Sequence, residues 1–236
     1  MNTLRLYEER FLAAPNIDGG GTAGGSGGGG GTGSGVGTTW TSRTSQSRSL
    51  NGVAYGNGLF VAVGGHAGYG PSVSPILTSP DGVTWTRRPS PTGNGLRGVV
   101  YGNGLFVAVG EDGTILTSPD GTAWTLRNSG TSNDLRSVAY GNGLFVAVGE
   151  DGAILISPDG VNWTARASGR RGWLWGVTYG NGLFVAVGVY GTILTSPDGV
   201  NWTAQTSPTI AWLFSLTYGN GLFVAVGVYG TILTSP

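Results

Sequence analysis

The chain has 236 residues, of which only 10% are charged, and its formal net charge is zero. Nucleic-acid-binding proteins normally carry a basic face, so this charge balance argues against that class. Because the chain has no cysteine, disulfide bonds and thiolate metal sites are excluded.

The N-terminal region divides into two segments by composition. Residues 1–18 carry a small apolar set that we predict to be an assembly anchor: Leu4, Leu6, Tyr7, Phe11 and Leu12. Thirteen of the nineteen residues from 19 to 37 are glycine, which predicts a flexible tether. No apolar stretch is long enough to span a bilayer, and Glu8, Glu9 and Arg10 interrupt any signal-peptide core. We therefore expect a soluble protein without a membrane span or secretory signal.

A repeat begins at residue 38, and its pattern predicts the fold. The string YGNGLFVAVG occurs five times, starting at Tyr55, Tyr101, Tyr140, Tyr179 and Tyr218. The last three steps are 39 residues, and the first is 46 because the first copy carries an insertion. Each copy predicts a strand ending at tyrosine, a Gly-Asn-Gly hairpin, a strand LFVAV apolar on both faces, a third strand, and a fourth starting at tryptophan. Residues 38–236 are therefore predicted to form an all-β fold, a five-bladed β-propeller.

The last copy stops at Pro236, directly after its third strand. The segment 39–42 (Thr-Trp-Thr-Ser) matches the missing fourth strand, since Trp40 precedes Tyr55 by 15 residues and the other four such distances are 16. We predict that this N-terminal strand completes the last blade as a clasp that closes the ring. The alternative is a domain-swapped assembly, because near-identical blades make the clasp partners interchangeable.

Four turns of the pattern SPDG-x-x-W indicate a family. They occupy residues 79–85, 118–124, 157–163 and 196–202. They resemble the Asp-box of bacterial-neuraminidase-type repeats, S-x-D-x-G-x-T-W, in a variant with one residue fewer between Asp and Gly. The resemblance implies a propeller in which the box is the turn between strands three and four. Since aspartate accepts hydrogen bonds from its own turn, we expect these aspartates to be structural.

Sialidases share this box, and that likeness implies three arginines around a substrate carboxylate, a tyrosine nucleophile and an acidic general acid. The arginines near the candidate face are Arg97, Arg136, Arg170 and Arg171. They are too few and too regular for such a clamp. We therefore predict a protein that is not an enzyme.

Acidic and metal-ligating side chains support the same prediction. The face-side acids are Glu111, Asp112, Glu150 and Asp151. They recur as a copied pair, which favours a solvated loop over two carboxylates flanking one glycosidic bond. His66 is the single histidine, and a metal site needs several ligands, so we expect no cofactor and no metal.

The copies diverge at the end of the blades opposite the Gly-Asn-Gly and Ser-Pro-Asp-Gly turns. Blades two and three are charged there, whereas blades four and five are aromatic. The predicted partner-binding face comprises Trp173, Trp175, Tyr190, Trp212, Phe214, Tyr229, Arg97 and Arg136. Exposed aromatic clusters usually mark a contact surface. The alternative is that Trp175 and Phe214 fill the central channel.

These features predict a structural or adhesive component of a virion, such as a tail fibre or decoration protein, or of another surface assembly. Residues 1–37 would anchor it to other structural proteins, and the propeller would bind a partner protein or a host glycan. One alternative is a free lectin-like carbohydrate-binding module, similar to the five-bladed tachylectin type in blade number but not in motif. The other is a sialidase-like glycoside hydrolase. We expect a location in the virion, with the cell surface or the cytoplasm as alternatives.

Overall fold

The computed structural model describes residues 40–43, 49–65 and 74–236. The predicted anchor, the glycine-rich tether and His66 lie outside the described residues. Residues 42–236 belong to one compact unit, which contains all five sheets. None of the described segments is a helix long and apolar enough to cross a membrane.

Nineteen antiparallel strands in this part of the chain form five sheets, one for each copy of the repeat. Blade one comprises β1 (Leu50–Gly56), β2 (Leu59–Gly64), β3 (Ile76–Ser79) and β4 (Thr86–Arg88). Blade two comprises β5 (Leu96–Gly102), β6 (Leu105–Gly110), β7 (Ile115–Ser118) and β8 (Thr125–Arg127). Blade three comprises β9 (Leu135–Gly141), β10 (Leu144–Gly149), β11 (Ile154–Ser157) and β12 (Thr164–Arg166). Blade four comprises β13 (Leu174–Gly180), β14 (Leu183–Gly188), β15 (Ile193–Ser196) and β16 (Thr203–Ala204). Blade five comprises β17 (Leu213–Gly219), β18 (Leu222–Gly227) and β19 (Ile232–Ser235).

The first hairpin of every blade has the predicted turn. In blade three, Tyr140 pairs with Phe145, and Asn142 and Gly143 between them have φ values of 47° and 74°. Two consecutive positive φ angles make a type I′ turn, which matches the right-handed twist of the flanking strands. The other four copies have the same pair of angles within a few degrees.

The Ser-Pro-Asp-Gly turn is held together by its aspartate. Asp159 Oδ1 accepts hydrogen bonds from the N–H groups of Val161 and Asn162, both at 2.8 Å, and from Ser157 Oγ at 2.9 Å. Trp163 Nε1 donates to Gly160 O at 2.9 Å and so fixes the indole beneath the turn. These bonds, that of the Asn162 N–H foremost, hold the pKa of Asp159 well below its usual range. The aspartates therefore have the structural role that the pattern predicts.

The hydrophobic core lies between consecutive blades. Phe145 and Ala147 of β10 face blade two, where they pack with Val109 among others. Val146 and Val148 of the same strand face blade four. The strand is therefore buried on both faces, as its apolar run predicts. One such core separates each pair of consecutive blades from one to five.

The two end surfaces of the series remain exposed. On blade five, Val226 is 43% and Ile232 67% exposed, whereas their counterparts in blade two, Val109 and Ile115, are fully buried. On blade one, Tyr55 is 60% exposed. These two faces are therefore not buried against each other.

The five-bladed β-propeller is confirmed, but the clasp is not formed among the described residues. The fifth sheet has three strands in the order β17-β18-β19. Residues 40–43 form no strand, and the Trp40 side chain is 91% exposed. The physical reason is that the exposed end faces of blades one and five do not meet, so no strand that precedes β1 pairs with β19.

Candidate functional site

A β-bulge positions the variable residue at the start of each blade. In β5 the register shifts between Leu96 and Gly98, so Arg97 has no partner in the ladder. The same irregularity frees the corresponding second residue of the other first strands, among them Trp175 and Phe214. A bulge re-aims the side chain that it carries, here towards the divergent end of the blades. Sequence reasoning found the variable position but not the bulge.

The charged half of the predicted face is an ion-pair layer. Arg97 Nη2 lies 2.8 Å from Glu111 Oε1, and Glu111 is only 5% exposed. Glu111 Oε2 also accepts a hydrogen bond from the Gly95 N–H at 3.0 Å. In blade three, Arg136 Nη2 lies 2.8 Å from Glu150 Oε1. The prediction of a solvated acidic loop is therefore wrong for Glu111, because the bulged arginine of its own blade neutralises it.

Arg136 also joins the charged half to the aromatic half. Its guanidinium carbon lies 4.8 Å from the ring centroid of Trp173 and 4.9 Å from that of Trp175. The two indoles are 5.2 Å apart, and Trp175 meets Phe214 edge-on at 5.6 Å. All three aromatic rings are partly buried. The structure thus brings these residues of blades three, four and five into one packed row, in which cation–π contacts hold the arginine.

Two tyrosines project from the same end of the molecule. Tyr190 and Tyr229 are 70% and 88% exposed, and both have left-handed backbones with φ of 55° and 56°. Blades two and three have Asp112 and Asp151 at this point of the turn, with φ of 50° and 51°. Aspartate tolerates this conformation far better than a bulky aromatic residue does. The tyrosines therefore sit in a strained backbone position that blades two and three fill with a residue better suited to it.

A cleft of about 430 Å³ opens beside Tyr190. Its walls include Arg170, Arg171, Ile193 and Ile210. Among the described residues neither arginine forms an ion pair, and both are exposed. Sequence reasoning named the two arginines but missed Ile210, whose signal was an aliphatic residue where the connections before blades two, three and four have Gly93, Ser132 and Arg171. Its side chain is 85% exposed.

The structure separates the predicted face into two parts. Trp173, Trp175, Phe214 and Arg136 pack on one another and are partly or fully buried, which suits the channel-filling alternative. Tyr190 meets Trp212 edge-on at 6.3 Å and remains open beside the cleft. The exposed part of the predicted face therefore consists of Tyr190 and Tyr229, with the cleft beside Tyr190.

Comparisons with known proteins identify the fold. No protein-family model matches the sequence, and no curated protein matches it. Among solved structures, the chain is similar to YCF48 bound to a D1 peptide (19% identity, TM-score 0.59, 79% of this chain and 63% of that one). It is also similar to YCF48 from Cyanidioschyzon merolae, with 17% identity and a TM-score of 0.59 over 79% of this chain and 66% of that one. A nidogen/laminin complex gives 16% identity and a TM-score of 0.58 over 75% of this chain and 72% of that one. The chain thus spans slightly less than two thirds of the YCF48 chains, and these likenesses show that its fold is a β-propeller.

Proposed function

We propose that this propeller is a non-enzymatic binding module that holds a segment of a partner protein against Tyr190 and the adjacent cleft. The observation that carries the proposal is the strained, exposed tyrosine. Backbone strain at a bulky residue is retained where the side chain serves a purpose beyond stability. Blades two and three show that the same turn forms with Asp112 and Asp151 in its place.

The chemistry of the cleft defines the segment. Arg170 and Arg171 supply positive charge without an internal counterion among the described residues, and Tyr190, Ile193 and Ile210 supply apolar surface. An extended segment with an acidic side chain next to an aliphatic or aromatic one would complement both. Tyrosine and arginine are also the residue types most enriched at the energetic centres of protein interfaces.

Similar structures support a protein rather than a small molecule as the ligand. One is YCF48 bound to a D1 peptide, and another is a nidogen/laminin complex. Both contain a peptide or protein partner. The low content of charged residues, 10%, and the formal net charge of zero agree with a partner that is not a nucleic acid.

The finer proposal concerns the place of this module in a larger assembly. Its Ser-Pro-Asp-Gly turns resemble a shortened Asp-box, and its N-terminal residues 1–37 combine an apolar set with a glycine-rich segment. We propose that this arm anchors the propeller in a virion or another surface assembly as an adhesive head. Mass spectrometry of purified particles tests this, and recovery of the protein only in the soluble cytosol would contradict it.

The substitution Tyr190→Asp tests the binding site, because it installs the residue that blade three has at this turn. Peptides selected from a displayed random library on the wild-type protein would be titrated by calorimetry against both forms. We expect Tyr190→Asp to weaken binding at least about tenfold, equivalent to about 1.4 kcal/mol. The melting temperature should stay equal or rise, because aspartate relieves the left-handed strain.

The matched control is Val161→Asp, which adds the same charge at the opposite end of the blades, where Val161 is 37% exposed. It should bind the selected peptides as the wild type does. Equal binding by wild type and Tyr190→Asp would refute the proposed site.

Glycan binding is the second candidate, because an exposed tyrosine ring can stack on a sugar face. A glycan array probed with wild type and Tyr190→Asp separates the two functions. Sugar binding that the variant loses, with no peptide selected, would favour the lectin-like function. Turnover of a fluorogenic glycoside would instead show an enzyme.

A further inference from the structure

At every interface between consecutive blades, a tyrosine ring of the later blade covers a glycine of the earlier blade. A Cβ atom added to Gly141 of blade three would lie 2.0 Å from Cγ of Tyr179 in blade four. At Gly102 of blade two, the corresponding distance to Tyr140 is 2.2 Å. The tyrosine ring of each blade therefore occupies the space that a side chain at this glycine would need.

Each end of the series of blades carries one member of this glycine–tyrosine contact. Gly219 of blade five, at the position of Gly141, has no described heavy atom within 4 Å of an added Cβ. Tyr55 of blade one is 60% exposed, whereas Tyr101 and Tyr140 are partly buried. Blade five thus presents a recess that no described residue fills, and blade one presents the tyrosine ring that fills the corresponding recess at the other blade interfaces.

A second contact of the blade interface is open in the same way. An added Cβ at Gly121 of blade two would lie 2.8 Å from Cδ2 of Leu59 in blade one. At Gly82 of blade one, only Phe60 of the same blade comes within 4 Å. The leucine that would face Gly82 from a preceding blade has its counterpart in Leu222, which is 40% exposed.

Apolar surface surrounds the recess on blade five. Val226 and Ile232 are 43% and 67% exposed, and their counterparts in blades two and three are buried. Blades one to four bury the same surface against the next blade in the chain. The surface that complements it is the face of a blade that packs against the preceding blade, which we call the leading face.

We propose that a second copy of this chain docks its blade one onto blade five, head to tail. Tyr55 of the second copy occupies the recess at Gly219, and Leu222 meets its Gly82. The contact is heterologous, so successive copies close a ring if the rotation from one chain to the next permits it, and otherwise form an open filament. A second copy fits better than an unrelated protein, because its blade one carries the same residues with which the later blades pack against this surface within one chain.

The same docking gives the unpaired third strand of blade five a partner. In blade one, Trp85 precedes the next blade's Leu96 by eleven residues and leads into β4 of its own sheet. Trp40 precedes Leu50 by ten residues. In the head-to-tail assembly, residues 40–42 of the second copy therefore reach the sheet of β17, β18 and β19 by a connection of nearly the same length and can complete it.

Light scattering coupled to size-exclusion chromatography tests the proposal on the full chain. The wild type should have at least twice the monomer mass of 24.0 kDa. Gly219→Ala should reduce the mass to that of the monomer, since a single methyl group obstructs the incoming Tyr55. The variant should still fold, because its Cβ meets no atom of the described residues within 4 Å and Gly219 is not among the residues with positive φ.

A second variant and a control complete the experiment. Ile232→Glu places a charge on the exposed apolar face and should also give a monomer. Leu126→Ala, on an exposed side chain of β8, should leave the assembly intact. A wild type that is monomeric at all concentrations, or an assembly that survives both variants, would overturn the proposal. A monomeric wild type that Gly219→Ala destabilises would also overturn it, because the ring would then close within one chain.

Discussion

At the scale of single residues, the side chain at the bulged position of each first strand determines the contacts made at the divergent end of that blade. Asn51 there donates a hydrogen bond to Leu96 O at 2.8 Å, whereas Arg136 extends across two indoles. The indole N–H of Trp175 is less well placed, because its buried Nε1 has no hydrogen-bond partner among the described residues. A buried N–H without an acceptor lowers stability by about 1–3 kcal/mol.

This difference predicts unequal effects of one substitution at two tryptophans. Trp163→Phe loses the hydrogen bond to Gly160 O, whereas Trp175→Phe removes an unsatisfied donor and installs the residue that blade five has at Phe214. We expect Trp163→Phe to lower the free energy of unfolding by about 1 kcal/mol more than Trp175→Phe does. Urea denaturation of both variants measures this. Equal losses would mean that the Trp175 indole N–H is satisfied.

At the scale of elements, the hairpins were predictable because their geometry is local. Gly-Asn-Gly supplies the positive φ angles of a type I′ turn whatever surrounds it. The Ser-Pro-Asp-Gly turn is equally local, since Asp159 bonds only to residues within three positions of it. The ion pairs were not predictable in the same way. Whether Glu111 was solvated or paired depended on the direction of a side chain 14 residues earlier.

The local origin of the hairpin can be tested at Gly143. An alanine there meets no atom within 4 Å, but φ is 74°, so the cost is conformational. We expect Gly143→Ala to lower the free energy of unfolding by about 1–2 kcal/mol. Gly182→Ala in blade four has the same geometry, with φ of 77° and open space, and should cost the same. A difference above about 1 kcal/mol between the two in thermal or urea unfolding would refute a purely local cause.

At the scale of the whole molecule, the four Ser-Pro-Asp-Gly turns predict sensitivity to acid. Hydrogen bonds, that of the Thr84 N–H foremost, lower the pKa of Asp81 to about 2, and similar bonds hold the pKa values of Asp120, Asp159 and Asp198 lower still. A lowered pKa in the folded state favours the charged form. The stability that it contributes is therefore complete above the ordinary pKa near 3.8 and is lost as pH falls towards about 2.

The variant Asp120→Asn/Asp159→Asn isolates this contribution, because asparagine keeps an acceptor oxygen for the turn but does not titrate. We expect the melting temperature of the wild type to fall more steeply than that of the variant between pH 4 and about pH 2. The two should run parallel above pH 5. Parallel curves over the whole acidic range would show that these aspartates do not contribute.

The five blades, their hairpins and their Ser-Pro-Asp-Gly turns could be predicted from the sequence alone, because each depends on residues close together in one copy and the copies repeat. The packing of side chains at the divergent end could not, since it depends on contacts between blades such as those of Arg136 with Trp173 and Trp175. The folded chain was also needed to show that Tyr190 is strained and exposed, and that the end faces with Tyr55 and Gly219 do not meet. The meeting of the ends depends on the angle between blades summed over the whole series, and no single copy of the repeat encodes that sum.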